Sequence, residues 1–204
     1  MFIKLEKRIK HQIVAATNNQ HKISEIRPLI EPDFRILSLE EIGCHQELPE
    51  TENTLEGNSL QKAAYVHNHF HLPCFADDTG LEVEALNGAP GVFSARYAGA
   101  HKNSEDNIAL LLKNLSGIPN RNARFRTVIT LIGLNGIQVF EGIVHGWILE
   151  ERRGAAGFGY DPVFQPQGYE KTMAEMTLDE KNLISHRGLA VKKLAGYLHH
   201  YYKS

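Results

Sequence analysis

Two adjacent carboxylates, Asp77 and Asp78, follow a short apolar run that ends at Ala76. The end of a buried strand is where α/β proteins place ligands. Because neighbouring strand residues point to opposite faces, one aspartate is expected to reach a cleft while the other anchors the backbone. Two close carboxylates repel unless a cation or proton lies between them, and Mg²⁺ suits a site that also holds substrate phosphates. The pair therefore indicates a metal site or, alternatively, a capped and solvated turn.

A second candidate site is the polar stretch that consists of Thr17, Asn18, Asn19, Gln20, His21 and Lys22. It follows an apolar run and precedes isoleucines at helical spacing, so it is expected to connect a strand to a helix. Such a connection presents free backbone N–H groups and the positive end of a helix dipole, and both bind phosphate. Lys22 adds a full charge. The alternative interpretation is an ordinary polar turn.

An acidic segment and a lysine lie between these two candidates. Any one of Glu47, Glu50, Glu52 and Glu56 has the chemistry to complete a metal site, although most of them are expected to form a solvated face. Lys62, on the helix predicted to follow, either contacts a phosphate or pairs with a glutamate.

A glycine-rich segment at 154–162 contains two aromatic residues, Phe158 and Tyr160. Small residues let a ligand approach the backbone, and either ring suits stacking on a purine or packing in the core. Further along, Lys181, Ser185, His186 and Arg187 form a donor-rich cluster at the start of the last predicted helix, where anions and hydrogen-bond acceptors bind well.

The composition limits the function classes. With 22 Lys and Arg against 24 Asp and Glu, the net charge is -2, which argues against binding nucleic acid through bulk charge. The two cysteines form no CxxC motif, so we expect a reducing, cytoplasmic environment without disulfides. No apolar run is long enough to cross a membrane. The basic start lacks the apolar core of a signal peptide, and residues 1–11 are interpreted as an N-terminal extension.

Hydrophobic periodicity gives an alternation of strands and helices. The strands are expected at 13–16, 34–37, 73–76, 121–134 and 137–150, and the helices at 54–70, 104–115 and 185–202. A helix containing Ile23 and Ile26 is expected to kink or end at Pro28. Asn135-Gly136 indicates a tight antiparallel hairpin. We therefore expect an α/β fold with a mixed sheet.

Taken together, these segments resemble the inosine triphosphate pyrophosphatase family, also called XTP/dITP diphosphatases. The matching stretches are TNNQHK at 17–22, ENTLEGNSLQKA at 52–63, FADDTGLEVEALNGAPGVFSARYAG at 75–99 and a run from GFGYDPVF to SHRGLAVKKL at 157–194. The resemblance implies an elongated mixed β-sheet with flanking helices, in which residues 12–204 form one domain of two lobes around an active-site cleft. It also implies Mg²⁺, a purine nucleoside triphosphate substrate and a homodimer.

The resemblance also assigns roles to residues. Asp78 would activate the attacking water and touch the metal, and Glu50 would be the other metal carboxylate. The triphosphate would be held by Thr17, Asn18, Asn19, Gln20, His21, Lys22 and Lys62. The nucleoside end would be formed by Thr79, Phe158, Gly159, Tyr160, Asp161, Lys181, His186 and Arg187.

Three positions depart from the family pattern: Asn18 replaces a common Gly, Thr79 a common Ser and Gly57 a common Glu. The last departure removes one carboxylate and leaves Glu50 and Glu56 as the nearby metal candidates. Two other functions remain open at this stage, namely a pyrophosphatase for another modified nucleotide and a nucleotide sensor without catalysis.

Overall fold

The computed structural model of the chain describes residues 11–31 and 34–203. The strands are β1 (His11–Ala15), β2 (Phe34–Leu37), β3 (Cys74–Val83), β4 (Pro90–Gly91), β5 (Asn122–Ile132), β6 (Ile137–Ile148) and β7 (Phe164–Pro166). The helices are α1 (Gln20–Ile30), α2 (Leu55–Phe70), α3 (Ser104–Asn114), α4 (Leu178–Ile184) and α5 (His186–Lys203). Residues 1–10 of the predicted extension lie outside the described residues.

All seven strands belong to one mixed sheet, with the order β2-β1-β3-β5-β6-β7 and with β4 paired to β3. β1 runs parallel to both β2 and β3, whereas the pairings of β3, β5, β6 and β7 are antiparallel. The predicted mixed α/β fold is thus confirmed. No helix in the described part of the chain is long and apolar enough to cross a membrane.

The sheet has a gap along one edge of β3. β1 pairs with β3 only as far as Phe75, and β4 pairs with it from Leu81 onward. The intervening residues pair with β5 on their other side. The gap therefore leaves part of the β3 backbone, including the carbonyl of Asp77, open to contact by side chains.

Helices cover both faces of the sheet, and the alternation of β3 decides which residue meets which helix. Phe75 packs with β1, α1 and α5 in one buried cluster. Cys74 and Ala76 point the other way and pack against α2 in a second cluster. A third cluster surrounds α3 and includes Leu81 and Val83. Asp77 and Asp78 consequently lie on opposite faces, as predicted.

Three elements of local structure differ from what the sequence predicts. The strand that begins near Cys74 does not end at Ala76 but runs on to Val83, because the β5 ladder pairs every residue of β3 and overrides the low strand preference of Asp and Gly. The hairpin loop has four residues, 133–136, since Ile132 pairs with Ile137. Helix α4 is not among the predicted helices, and it carries a complete capping box on Thr177.

Pro28 lies inside α1 and does not end it, which excludes one of the two expected outcomes, a kink or an end. A proline in a helix leaves the carbonyl four residues earlier without its usual partner. That residue is Ser24, which is exposed, so water can satisfy its carbonyl. The helix therefore continues to Ile30, whose side chain is buried in the core.

Candidate active site

A cavity of about 380 Å³ opens at the gap in the sheet. Most of the predicted site residues line it, namely Thr17, Asn18, Asn19, Lys22, Glu50, Lys62, Asp78, Thr79, Phe158, Gly159, Tyr160, Asp161, Lys181, His186 and Arg187. Gln20 and His21 do not line it, although the His21 ring stacks on Phe158 at 5.2 Å between centroids. Segments far apart in sequence therefore meet around one space large enough for a small ligand.

Lys62 lies between the two carboxylates predicted to bind metal. Its ammonium is 2.7 Å from Glu50 Oε1 and 3.1 Å from Asp78 Oδ1. It also donates to the backbone carbonyl of Asp77 at 2.8 Å, at the open edge of β3. Asn58, one turn earlier on α2, donates to Asp78 Oδ2 at 3.3 Å. Helix α2 thus fixes the position of Asp78 through two side chains.

The pKa values of the Asp78 and Glu50 carboxylates shift in opposite directions. Burial raises the pKa of Asp78 above its ordinary value, despite the opposing charges of Lys62 and Lys22. For Glu50 the balance is reversed, since burial is outweighed by Lys62, with smaller contributions from Lys22 and Lys102, and the pKa is lowered. Asp78 therefore holds a proton more readily than an ordinary aspartate, whereas Glu50 holds one less readily than an ordinary glutamate.

The donor set fits a hard divalent cation. Mg²⁺ binds through one or two carboxylates together with substrate phosphates, and Glu50 and Asp78 supply two carboxylates within reach of one ammonium. Glu56 instead pairs with Arg126, away from the cavity. Within residues 11–31 and 34–203, no three His, Cys, Asp or Glu side chains converge as a complete metal site. Phosphate oxygens would have to complete the coordination.

Asp77, although it neighbours Asp78 in sequence, is buried and surrounded by cations. It is 1% exposed, and its Oδ2 lies 3.1 Å from Lys22 and 3.3 Å from Arg187. Burial alone would raise the pKa of Asp77, but these two cations outweigh it and hold the pKa well below its ordinary range. Asp77 therefore stays ionised and joins α1, β3 and α5.

The loop before α1 satisfies more of its own backbone than the sequence analysis anticipated. Asn19 is the N-cap, and its side chain accepts from the N–H groups of His21 and Lys22. The N–H of Asn19 donates in turn to Thr17 Oγ1 at 3.1 Å. Several N–H groups predicted to be free for phosphate are thus already bonded, and Lys22 carries the charge of this loop.

The other end of the cavity is formed by the glycine-rich segment. Phe158 is half-buried, and the charged atoms of Lys181 and Arg187 lie 5.1 Å and 5.5 Å from its ring centroid. Tyr160 belongs to the core, where its hydroxyl donates to the Ser94 carbonyl at 2.9 Å. Of the two rings considered for purine stacking, Phe158 is the less buried, with His21 stacked on it and two cations over it.

A buried chain of alternating charges runs beneath the cavity, in the order Lys22, Asp77, Arg187, Glu25, Lys181 and Asp161. Glu25 is 4% exposed and holds both Arg187 and Lys181. Glu25 was not among the residues predicted from the sequence. The available signal was its position three residues after Lys22, which places both on one face of α1.

His186 is buried against Phe125, with ring centroids 4.6 Å apart. Burial, together with the charges of Arg187 and Lys181, lowers its pKa well below the ordinary value. Its imidazole is therefore neutral at neutral pH. Its Nδ1 has no hydrogen-bond partner within the described residues, so the ring retains hydrogen-bonding capacity.

Other residues line the cavity without having been singled out from the sequence. They include Asn58, Ser94, Arg96, Lys102, Asn107 and Phe125. Arg96 and Lys102 belong to the segment between β4 and α3, and neither was among the predicted site residues. Their cationic side chains were the available signal.

Comparison with known proteins identifies relatives over most of the chain. Residues 13–197 match the model of the Ham1 family. A protein of Porphyromonas gingivalis named dITP/XTP pyrophosphatase is 54% identical over 188 residues, which cover 92% of this chain and 97% of that protein. A Bacillus subtilis protein of the same name is 44% identical, with 93% and 98% covered.

Solved structures give the same result at the level of the fold. The Staphylococcus aureus Ham1 protein superposes with a TM-score of 0.85 at 39% identity, covering 93% of this chain and 98% of that one. A HAM1 protein of Coxiella burnetii gives 0.86 at 36% identity, with 93% and 99% covered. The resemblance noted from the sequence motifs is confirmed across nearly the whole chain, and the protein belongs to the Ham1 family.

Proposed function

We propose that the protein hydrolyses non-standard purine nucleoside triphosphates, such as ITP, dITP and XTP, to the monophosphate and pyrophosphate. The observation that carries the proposal is the convergence of Asp78, Glu50 and Lys62 at one end of a cavity whose other end contains Phe158. The site thus combines a carboxylate and ammonium end for phosphates with an aromatic end for a base. The names of the relatives, dITP/XTP pyrophosphatase, support the same reaction.

In the proposed reaction, a water oxygen attacks the α-phosphorus of the substrate. The bond from that phosphorus to the oxygen bridging the β-phosphate breaks, and pyrophosphate leaves. Asp78 accepts the proton from the water, and its raised pKa makes it a better base than an ordinary aspartate. Asn58 and Lys62 hold the carboxylate in place for this step.

Charge neutralisation supports the same step. Phosphoryl-group transfer requires mainly positioning and electrostatic stabilisation. Mg²⁺ held by Glu50 and Asp78 together with phosphate oxygens would neutralise phosphate charge and lower the pKa of the attacking water. Lys22 and Lys62 offset charge that develops on the leaving pyrophosphate.

Recognition of the base is assigned to the other end of the cavity. Phe158 stacks on the purine, and hydrogen-bond donors there favour the 6-keto oxygen of hypoxanthine or xanthine over the 6-amino group of adenine. A mismatched amino group would leave donors on both sides unpaired, which is the costly outcome. Neutral His186 and the guanidinium of Arg187 are the candidate readers of this position.

The test is to incubate the purified protein with XTP, ITP, ATP, GTP and CTP, with and without Mg²⁺, and to resolve the products by anion exchange. We expect XMP or IMP with pyrophosphate, dependent on Mg²⁺ and faster than AMP formation. Release of orthophosphate and a diphosphate would place the cleavage at the γ-phosphate and overturn the mechanism. Nucleotide binding without turnover would favour a sensor.

A further inference from the structure

Among the described residues, six lysine and arginine side chains line the cavity, and four of them are already paired with carboxylates. The pairs are Lys22 with Asp77, Lys62 with Glu50 and Asp78, Lys181 with Glu25 and Asp161, and Arg187 with Glu25 and Asp77. A nucleoside triphosphate carries several negative charges. These internally paired cations offset only part of that charge, so cations without a carboxylate partner would add to the neutralisation proposed for Lys22, Lys62 and Mg²⁺.

Arg96 and Lys102 are the two remaining cations. Within the described part of the chain, neither side chain forms an ion pair or a hydrogen bond. The Arg96 guanidinium lies over the ring of Phe93, 5.2 Å from its centroid, which leaves its charge uncompensated. Arg96 is half-buried and Lys102 is exposed. Together they give this wall of the cavity a net positive charge.

The position of these cations points to the phosphate end. Lys102 is close enough to Glu50 for its charge to act on that carboxylate. Glu50 contacts Lys62, whose other carboxylate partner is Asp78. The segment that carries Arg96 and Lys102 follows β4, whereas Lys22 follows β1, and the gap in the sheet lies between these two strands. The cavity is thus bordered by cations on both sides of the gap.

The backbone that presents Arg96 and Lys102 is held in place. The side chain of Asn107 on α3 accepts from the Ala98 N–H at 2.7 Å and donates to the Ala95 carbonyl at 3.1 Å. Ser94 accepts from the Leu81 N–H at 2.8 Å, which fixes the same segment to β3. Asn107 and Ser94 are both buried. A segment anchored in this way can bind a ligand without a large ordering cost.

We propose that Arg96 and Lys102 form a subsite for the terminal phosphates of the substrate and for the pyrophosphate that leaves. The proposal rests on the function proposed above, because it assigns these residues to the triphosphate of that substrate. Two unpaired cations stabilise charge as it accumulates on the leaving pyrophosphate, and they act from the side opposite Lys22.

The test compares Arg96→Gln, Lys102→Gln and the double variant with Lys113→Gln, which removes an exposed lysine of α3 that does not line the cavity. Binding of inorganic pyrophosphate and of inosine monophosphate is measured separately by calorimetry in the presence of Mg²⁺. We expect each single variant to weaken pyrophosphate binding roughly threefold to tenfold, and the double variant more than about tenfold. Monophosphate binding and the Lys113→Gln variant should remain within about twofold of the unchanged protein.

Two further measurements make the outcome decisive. Lys102→Arg should restore pyrophosphate binding, since it restores the charge, and the losses should shrink at high salt because Lys102 is exposed. Unchanged pyrophosphate binding in the double variant, or an equal loss of monophosphate binding, would overturn the subsite. Turnover of XTP by the unchanged protein is assayed independently. Failure of that assay would remove the proposed function while leaving the pyrophosphate result interpretable by itself.

Discussion

Replacing Asp77 or Asp78 by asparagine is expected to harm the protein in two different ways. The residues are adjacent and chemically identical, and asparagine preserves the shape of either one while removing its charge. Asp77 lies among cations beneath the cavity, whereas Asp78 faces the cavity itself. The structure therefore predicts a loss of stability for the first variant and a loss of activity for the second.

For Asp77→Asn the magnitude follows from the buried ion pairs. The change leaves Lys22 without an ion-pair partner among the described residues, while Arg187 keeps Glu25. Removing one partner of a buried pair costs about 3–5 kcal/mol, and the surviving pair favours the lower value of about 3 kcal/mol. For a chain of this length each kcal/mol lowers Tm by roughly 2–4 °C, which gives a decrease of roughly 6–12 °C.

For Asp78→Asn the expected change in stability has the opposite sign. Burial raises the folded-state pKa of Asp78 above its unfolded value, so its ionised form is less favourable in the folded protein. At neutral pH this charge reduces the free energy of unfolding, and asparagine removes the cost. We expect Tm to stay level or rise slightly, while kcat falls at least ~100-fold through loss of the base.

Thermal unfolding followed by circular dichroism, together with XTP turnover, separates the two effects. Because Lys22 and Arg187 lower the pKa of Asp77, its stabilisation is complete above the unfolded pKa of about 3.9 and disappears only as pH falls further. The Tm difference between Asp77→Asn and the unchanged protein should therefore be constant near neutral pH. Equal Tm values for the two variants, or near-normal turnover by Asp78→Asn, would refute the division of roles.

Two other predictions concern the same cavity. The kcat/KM for XTP should fall as pH is lowered through the raised pKa of Asp78, at a higher pH than for an ordinary aspartate, and a profile that stays flat to pH 4 would contradict the assigned base. Gly157→Ala should cost more stability than Gly159→Ala in denaturant unfolding, by roughly 1–3 kcal/mol. Both glycines have positive φ, but only at Gly157 would a Cβ lie 2.1 Å from Asp161 Oδ2. Equal losses for the two variants would show that backbone conformation alone matters.

The sequence predicted the segments that line the cavity better than it predicted the buried ion pairs packed beneath them. The loop around Lys22, the aspartate pair and the segment around Phe158 were found because each concentrates polar or glycine residues beside a predicted strand or helix. By residue type, either ring suited stacking on a purine or packing in the core. Only tertiary packing shows that Tyr160 lies in the core and that Phe158 is half-buried at the cavity.

What the sequence could not provide was the pairing of buried charges. In the sequence, Glu25 looks like an ordinary helix residue. Its role in the core appears only in the fold, where α5 places Arg187 in an ion pair with it. Similarly, Asp77 and Asp78 were expected at the end of a strand because aspartate disfavours strands, and only the long-range β5 ladder keeps them inside one. The positive charges of Arg96 and Lys102 are visible in the sequence, but only the tertiary structure shows that they line the cavity without an ion pair among the described residues.

The three-residue spacing of Lys22 and Glu25 has a consequence for redesign of the protein. Three residues of α1, a rise of about 4.5 Å, separate Lys22, the lysine proposed to meet phosphate, from Glu25, which pairs with Lys181 and Arg187. Because Arg187 also pairs with Asp77, the partner of Lys22, a substitution at Glu25 would disturb the ion pairs around Lys22 as well. Libraries aimed at altered specificity should therefore vary Glu25 only together with its two cationic partners, and should otherwise be confined to residues outside this chain of charges, such as Phe158 and Phe125.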